Sequence, residues 1–125
     1  MSEIRATTIS DAAGTGPITL TGQSAAKVWV NFNGTGTVAI RDSHGVSGLV
    51  DGGTGVYTVN FTNNMASSNH SSCVSSRNEV TNGGQDHNAS SPTASSYYFE
   101  KYEGSTLRDT SIACTITHGD LARVH

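Results

Sequence analysis

Tyr97, Tyr98 and Tyr102 follow a stretch rich in Asn, Ser and Gly that includes Asn82, Gln85 and His87, and these residue types suit recognition better than catalysis. Tyrosine covers much area with few rotatable bonds, and Asn, Gln and Ser make hydrogen bonds without adding charge, so the set fits a saccharide or a protein surface. A strand would divide it. Tyr97, Phe99 and Lys101 would then face one way and Tyr98, Glu100 and Tyr102 the other, and the plainer reading is that the tyrosines simply fill strand edges.

Catalytic chemistry has less support. No two of His44, His70, His87, His118 and His125 are spaced like the paired ligands of a helical or zinc-ribbon site, so no metal and no cofactor is expected. The histidines read as surface or strand-end residues. Asp42, Asp51, Asp86, Asp109 and Asp120 mostly adjoin Gly, Ser or Thr, as turn-capping aspartates do. The Gly-Thr-Gly segments precede neither a helix nor a phosphate-binding lysine and read as hairpin tips. The expectation is a protein that is not an enzyme.

The elements that must position these residues are strands. Val28 to Arg41 alternates apolar and polar residues, breaks at Asn33-Gly34 and alternates again, which predicts a β-hairpin. Val46 to Val50 and Val56 to Phe61 flank the glycine-rich tip 51–55 and predict a second hairpin. Val28, Val30 and Phe32 share one face and Lys27, Trp29 and Asn31 the other, so the single tryptophan points away from the most apolar face. Trp29 either covers a small second core or lies partly exposed, or else it sits at a subunit contact, where aromatic residues are enriched. Tyr57, Val59 and Phe61 form the apolar face of the fourth strand. Tyr97–Tyr102 and 111–117 supply two more strands, with Ile112, Cys114 and Ile116 on one face, and Cys73–Arg77 reads as a short one. Residues 63–72 and 78–96 read as loops, the second unusually long for a compact domain. Seven or eight short strands without a helix predict an all-β fold, an antiparallel β-sandwich or jelly-roll-like domain with short hairpins and one long polar loop.

The expected organisation is an N-terminal arm or attachment segment over 1–25 and a β-sandwich domain over 26–125. Only 23 of 125 residues are Leu, Ile, Val or Phe, so a lone copy has little to bury against an ordering cost of about 1–2 kcal/mol per residue. Homo-oligomerisation is the default expectation. Seven Lys and Arg residues scattered along a chain of net charge -3 form no basic stripe, which disfavours nucleic acid. No run of 18 apolar residues predicts a spanning helix, and the first residues show no secretory pattern, so synthesis in the cytoplasm is expected. Cys73 and Cys114 are therefore expected as buried free thiols.

The segments WVNFNGTGTVAIR (29–41) and GTGVYTVNFTNNM (53–65) together resemble a module repeated in tail-fibre and related virion proteins of tailed bacteriophages, best over residues 26–65. The resemblance carries no catalytic residue. It implies a virion location and self-association, with a trimer the specific expectation, and other virion proteins as partners. The leading expectation is a trimeric tail fibre or short tail appendage that attaches to the host surface through a glycan or protein there. A capsid decoration protein that stabilises the head is the first alternative, and a carbohydrate-binding module the second.

Overall fold

Burial alternates residue by residue along the central strands, as pleat geometry requires when one face of each sheet is covered. The computed structural model describes residues 2–10, 12, 21–77, 79 and 85–122, among which all regular structure is strand. The strands are β1 (Ala26–Asn33), β2 (Ala39–His44), β3 (Val46–Gly53), β4 (Val56–Phe61), β5 (Ser71–Ser76), β6 (Gln85–Thr93), β7 (Ser96–Glu103), β8 (Thr106–Leu107) and β9 (Ala113–His118). They form two antiparallel sheets, β2-β1-β9-β5 and β3-β4-β7-β6, with the short β8 paired to β7. The fold is an all-β sandwich.

Both predicted hairpins are present, as β1–β2 and β3–β4. The chain passes from one sheet to the other at Gly45, whose φ is +71° and whose missing Cβ would stand 2.6 Å from the Lys27 carbonyl oxygen. Only glycine fits that corner. The long-range pairs β1–β9 and β4–β7 then fix the centres of the two sheets.

The core lies between the sheets. Val28, Val30 and Phe32 of β1 meet Tyr57, Val59 and Phe61 of β4 and Tyr97 and Phe99 of β7, while Met65 belongs to the same buried cluster. Phe32 packs edge-on to Tyr57 with ring centroids 5.1 Å apart, and Phe99 follows at 5.4 Å from Tyr57. Full burial of each large apolar side chain contributes about 1.5–3 kcal/mol.

One sequence expectation changes here. The stretch 78–96 is not one long loop, because β6 occupies Gln85–Thr93 and pairs with β7. An edge strand of Asn, Ser and Gln is held by backbone ladder bonds, which need no apolar alternation to form. In β9 the expected shared face of Ile112, Cys114 and Ile116 is present and is the outer one: Ala113, Thr115 and Thr117 are buried, whereas Ile112 just before the strand and Ile116 within it are exposed. The Thr117 hydroxyl meets the Ser72 hydroxyl at 2.6 Å, whereas the buried Thr115 hydroxyl has no hydrogen-bond partner among the described residues.

Candidate functional site

Strand alternation on β7 turns Tyr98, Glu100 and Tyr102 to the outer face of the second sheet. The Tyr98 hydroxyl donates to Glu100 Oε1 at 2.7 Å, and the Tyr102 hydroxyl donates to Glu100 Oε2 at 2.7 Å. For hydroxyls two residues to either side to reach one carboxylate, both side chains must lean along the strand toward its middle. The Tyr98 hydroxyl holds the Glu100 carboxyl below its ordinary range, with Tyr102 adding to the effect. The reciprocal bond to Glu100 raises the Tyr98 phenol. Thr58 of β4 stands across from Tyr98 in the ladder, Val50 of β3 stands beyond it, and Asn88 of β6 is in register with Glu100.

The outer face of the first sheet has a different character. His44, Trp29, Ile116 and Cys73 stand side by side across β2, β1, β9 and β5. Trp29 is 36% exposed and Ile116 46%, Cys73 is exposed, and Ile112 at 41% extends the apolar surface. At one corner of this face Arg41 donates to Asn31 Oδ1 at 3.2 Å and to the Ser111 carbonyl at 2.6 Å. Cys73 and Cys114 are both free thiols, but Cys73 is exposed and Cys114 half-buried, which corrects the expectation of buried sulfurs. Both fall on the outward positions of their strands, so the pleat delivers them to the surface.

A third cluster is buried at one end of the sandwich. Lys101 and Glu103 continue the inward face of β7 and are 0% and 3% exposed. They form an ion pair, with the Arg108 guanidinium 3.6 Å from Glu103 Oε2 and the Glu79 amide donating to Glu103 Oε1 at 2.5 Å. Beside them the Glu79 carboxylate accepts bonds from the Ser111 hydroxyl and amide, both at 2.7 Å, and these hold its carboxyl below the ordinary value. Asp109 Oδ1 accepts from the Gly55 amide at 2.8 Å and lies 3.2 Å from the Tyr57 hydroxyl. Charges in this position stabilise only as a satisfied set, because desolvation offsets much of their attraction.

The candidate residues from sequence divide accordingly. Tyr98 and Tyr102 lie together on an open face. Tyr97 does not join them: it is buried at 5% exposure beside Phe99, because the pleat turns it inward, and its phenol is raised by burial. His87 also points between the sheets, half-buried, with Nε2 2.7 Å from the Ser76 hydroxyl, a bond that ties the edge strands β5 and β6. That placement departs from the expected surface histidine, whereas exposed His44 and His118 end their strands as expected. Gln85 opens β6 opposite Glu103, and Asn82 lies outside the described residues. Trp29 lies on the outer face of the first sheet, as the alternation predicts. Glu100 is the member of the face that residue-type reasoning passed over, although its place two residues from each tyrosine is visible in the sequence.

A cleft of about 280 Å³ lies where β1 begins and β2 turns into β3, lined by Lys27, His44, Thr62, Asn63 and Leu121 among others. Among the described residues no group of three or more His, Cys, Asp or Glu side chains is arranged to hold a metal ion. No helix among them is long and apolar enough to cross a membrane. Comparison with family models, with curated proteins and with solved structures found no match to this chain.

Proposed function

We propose that this chain is a non-catalytic structural protein of a tailed-phage virion, a tail fibre or short tail appendage that assembles as a homotrimer and contacts the host surface. The observation that carries the reading is the exposed row Trp29, Ile116 and Cys73 on the outer face of the β2-β1-β9-β5 sheet. Large apolar side chains on an otherwise thinly apolar chain gain most by meeting identical copies, since the row carries no formal charge to oppose self-approach. The motif resemblance over residues 26–65 supplies the virion setting. Attachment would use the opposite face, where Tyr98, Glu100 and Tyr102 stay free of the apolar surface, and the virion's many copies would multiply weak contacts.

Two measurements test it. Light scattering on the purified chain should give three times the mass of one chain; a monomer at micromolar concentration removes the oligomer. Imaging of the intact particle with the chain traced should place density on the tail; density on the head would replace the appendage with a decoration protein.

A further inference from the structure

We infer that β5 is a docking edge and that its occupant is the N-terminal arm, residues 2–10, of a second copy, added as a further strand beside Cys73. This rests on the self-association reading and deepens it by naming a contact between copies.

Four strands end the two sheet orders, and three of them carry features that discourage strand addition. β2 holds Arg41 and Asp42, and its pairing slips between Asn31 and Phe32. β3 holds Asp51 and slips twice, and β6 holds Asp86 and Pro92 and slips between Ser90 and Thr93. β5 has none of these. It reads Ser-Ser-Cys-Val-Ser-Ser, uncharged throughout and in unbroken register with β9, its one strand partner among the described residues. His70 Nε2 donates to the Thr93 carbonyl at 2.7 Å and Ser76 meets His87 at 2.7 Å, so both flanks of this edge are pinned to β6. An incoming strand meets an edge already held in place.

The arm has the composition of a strand without the partner of one. Residues 2–10 contain no Gly or Pro and include the β-branched Ile4, Thr7, Thr8 and Ile9, yet they form no regular structure and are exposed throughout. Ile4 is 92% exposed and Ile9 67%. Arg5 Nε donates to Glu3 Oε1 at 2.8 Å, a bond between residues two apart, which share a side in an extended chain. The same alternation puts Ser2, Ile4, Ala6, Thr8 and Ser10 on the other, uncharged side. Laid beside β5, that side continues the outer row Trp29, Ile116 and Cys73 with a further apolar residue, Ile4.

The partner is a second copy because the single chain leaves the arm off its own edge. Residues 11–25 can span at most about 50 Å at full extension, which reaches a neighbour. An arm meeting β5 joins two different surfaces, a head-to-tail contact that closes into a ring when the rotation permits, as a trimer requires.

The test uses the full-length chain with Cys114→Ser, which leaves Cys73 as the single native thiol, and adds one cysteine along the arm. Ile4→Cys, Ala6→Cys and Thr8→Cys sample the uncharged side, Arg5→Cys and Thr7→Cys the other. Each chain is oxidised with copper phenanthroline, separated without reductant, and its linked peptides are identified by mass spectrometry. The expected result is a disulfide from the arm of one chain to Cys73 of another, formed by at least one of the first three, lost in the last two, and running as covalent dimers and trimers. Removing residues 2–10 should keep the far-ultraviolet circular dichroism and weaken self-association about tenfold or more. A link confined to single chains, no link to Cys73 from any arm position, or association undiminished by the deletion each overturns the inference. Arm-to-Cys73 chains that grow past three copies sustain it while removing the trimer, and a trimer that persists at full affinity without the arm does the reverse.

Discussion

The Tyr57 hydroxyl concentrates the chemistry of the core into one atom. It accepts from the Thr110 amide at 3.2 Å and can donate to the Gly34 carbonyl at 3.0 Å or to Asp109 Oδ1 at 3.2 Å, and burial pushes its ionisation above the ordinary tyrosine range. Tyr57→Phe keeps the ring packing against Phe32 but leaves those buried groups without their partner. Urea denaturation should show a loss of about 1–3 kcal/mol, the cost of unsatisfied buried polar groups, whereas a loss near zero would mean that water replaces the hydroxyl. Lys101→Met should cost more, about 3 kcal/mol or above, because Glu103 keeps its charge in the interior without its closest cation. A third prediction at this scale concerns pH. Glu79 has its folded pKa lowered chiefly by the Ser111 hydroxyl, so its contribution is complete above the ordinary carboxylate value of 4.5 and is lost as pH falls through the lower folded value. Denaturation midpoints of the native chain should therefore drop in acid by an increment that Glu79→Gln lacks, and parallel acid profiles for the two chains would refute the assignment.

Elements show which parts of the fold the residues announce and which they conceal. The faces of β1 and β4 are legible because Val28, Val30 and Phe32, and Tyr57, Val59 and Phe61, alternate with polar partners, and burial follows that alternation. Strand β6 is concealed, since Asn, Ser and Gln in a ladder look like a loop until the partner strand is known. The inward face of β9 is concealed for the opposite reason: its apolar residues are the exposed ones, so hydrophobicity alone picks the wrong side. The candidate face follows the same logic. Alternation separates Tyr98 and Tyr102 from Tyr97, but the tie of both hydroxyls to Glu100 depends on side-chain lean that spacing does not specify. Inward Lys101 and Glu103 were readable from the same alternation and run against the usual exclusion of charge. Turns carry the fourth prediction. Gly55 sits at φ +70°, donates to Asp109 and accepts from the Lys101 amide, and a Cβ there would stand 2.7 Å from the Arg108 amide nitrogen and 2.8 Å from the Lys101 carbonyl oxygen. Gly55→Ala combines backbone strain with a backbone clash and should cost about 2 kcal/mol or more, checked by thermal denaturation; an unchanged midpoint would show that the β3–β4 tip yields freely.

For the whole molecule the decisive contrast is between its two outer faces, one carrying a tyrosine–carboxylate line and the other an apolar row. A sandwich with few large apolar residues would be expected to spend them inside, yet Trp29, Ile112 and Ile116 lie on one surface. If the proposed trimer forms there, all three should lose exposure together with Cys73. Placing a carboxylate in that row, as in Ile116→Glu, would then desolvate an unpaired charge at the interface while costing little in a free monomer. The expected outcome is a fall in mass from trimer to monomer with the far-ultraviolet circular dichroism of the native chain retained. Two further signals come from the same row. Emission from the chain's one tryptophan should shift to the red, and Cys73, protected in the native assembly, should react with a maleimide at the rate of an open thiol. A native chain whose Cys73 already reacts at that rate, with mass unchanged by Ile116→Glu, would place the contact between copies elsewhere and leave the row as bare surface.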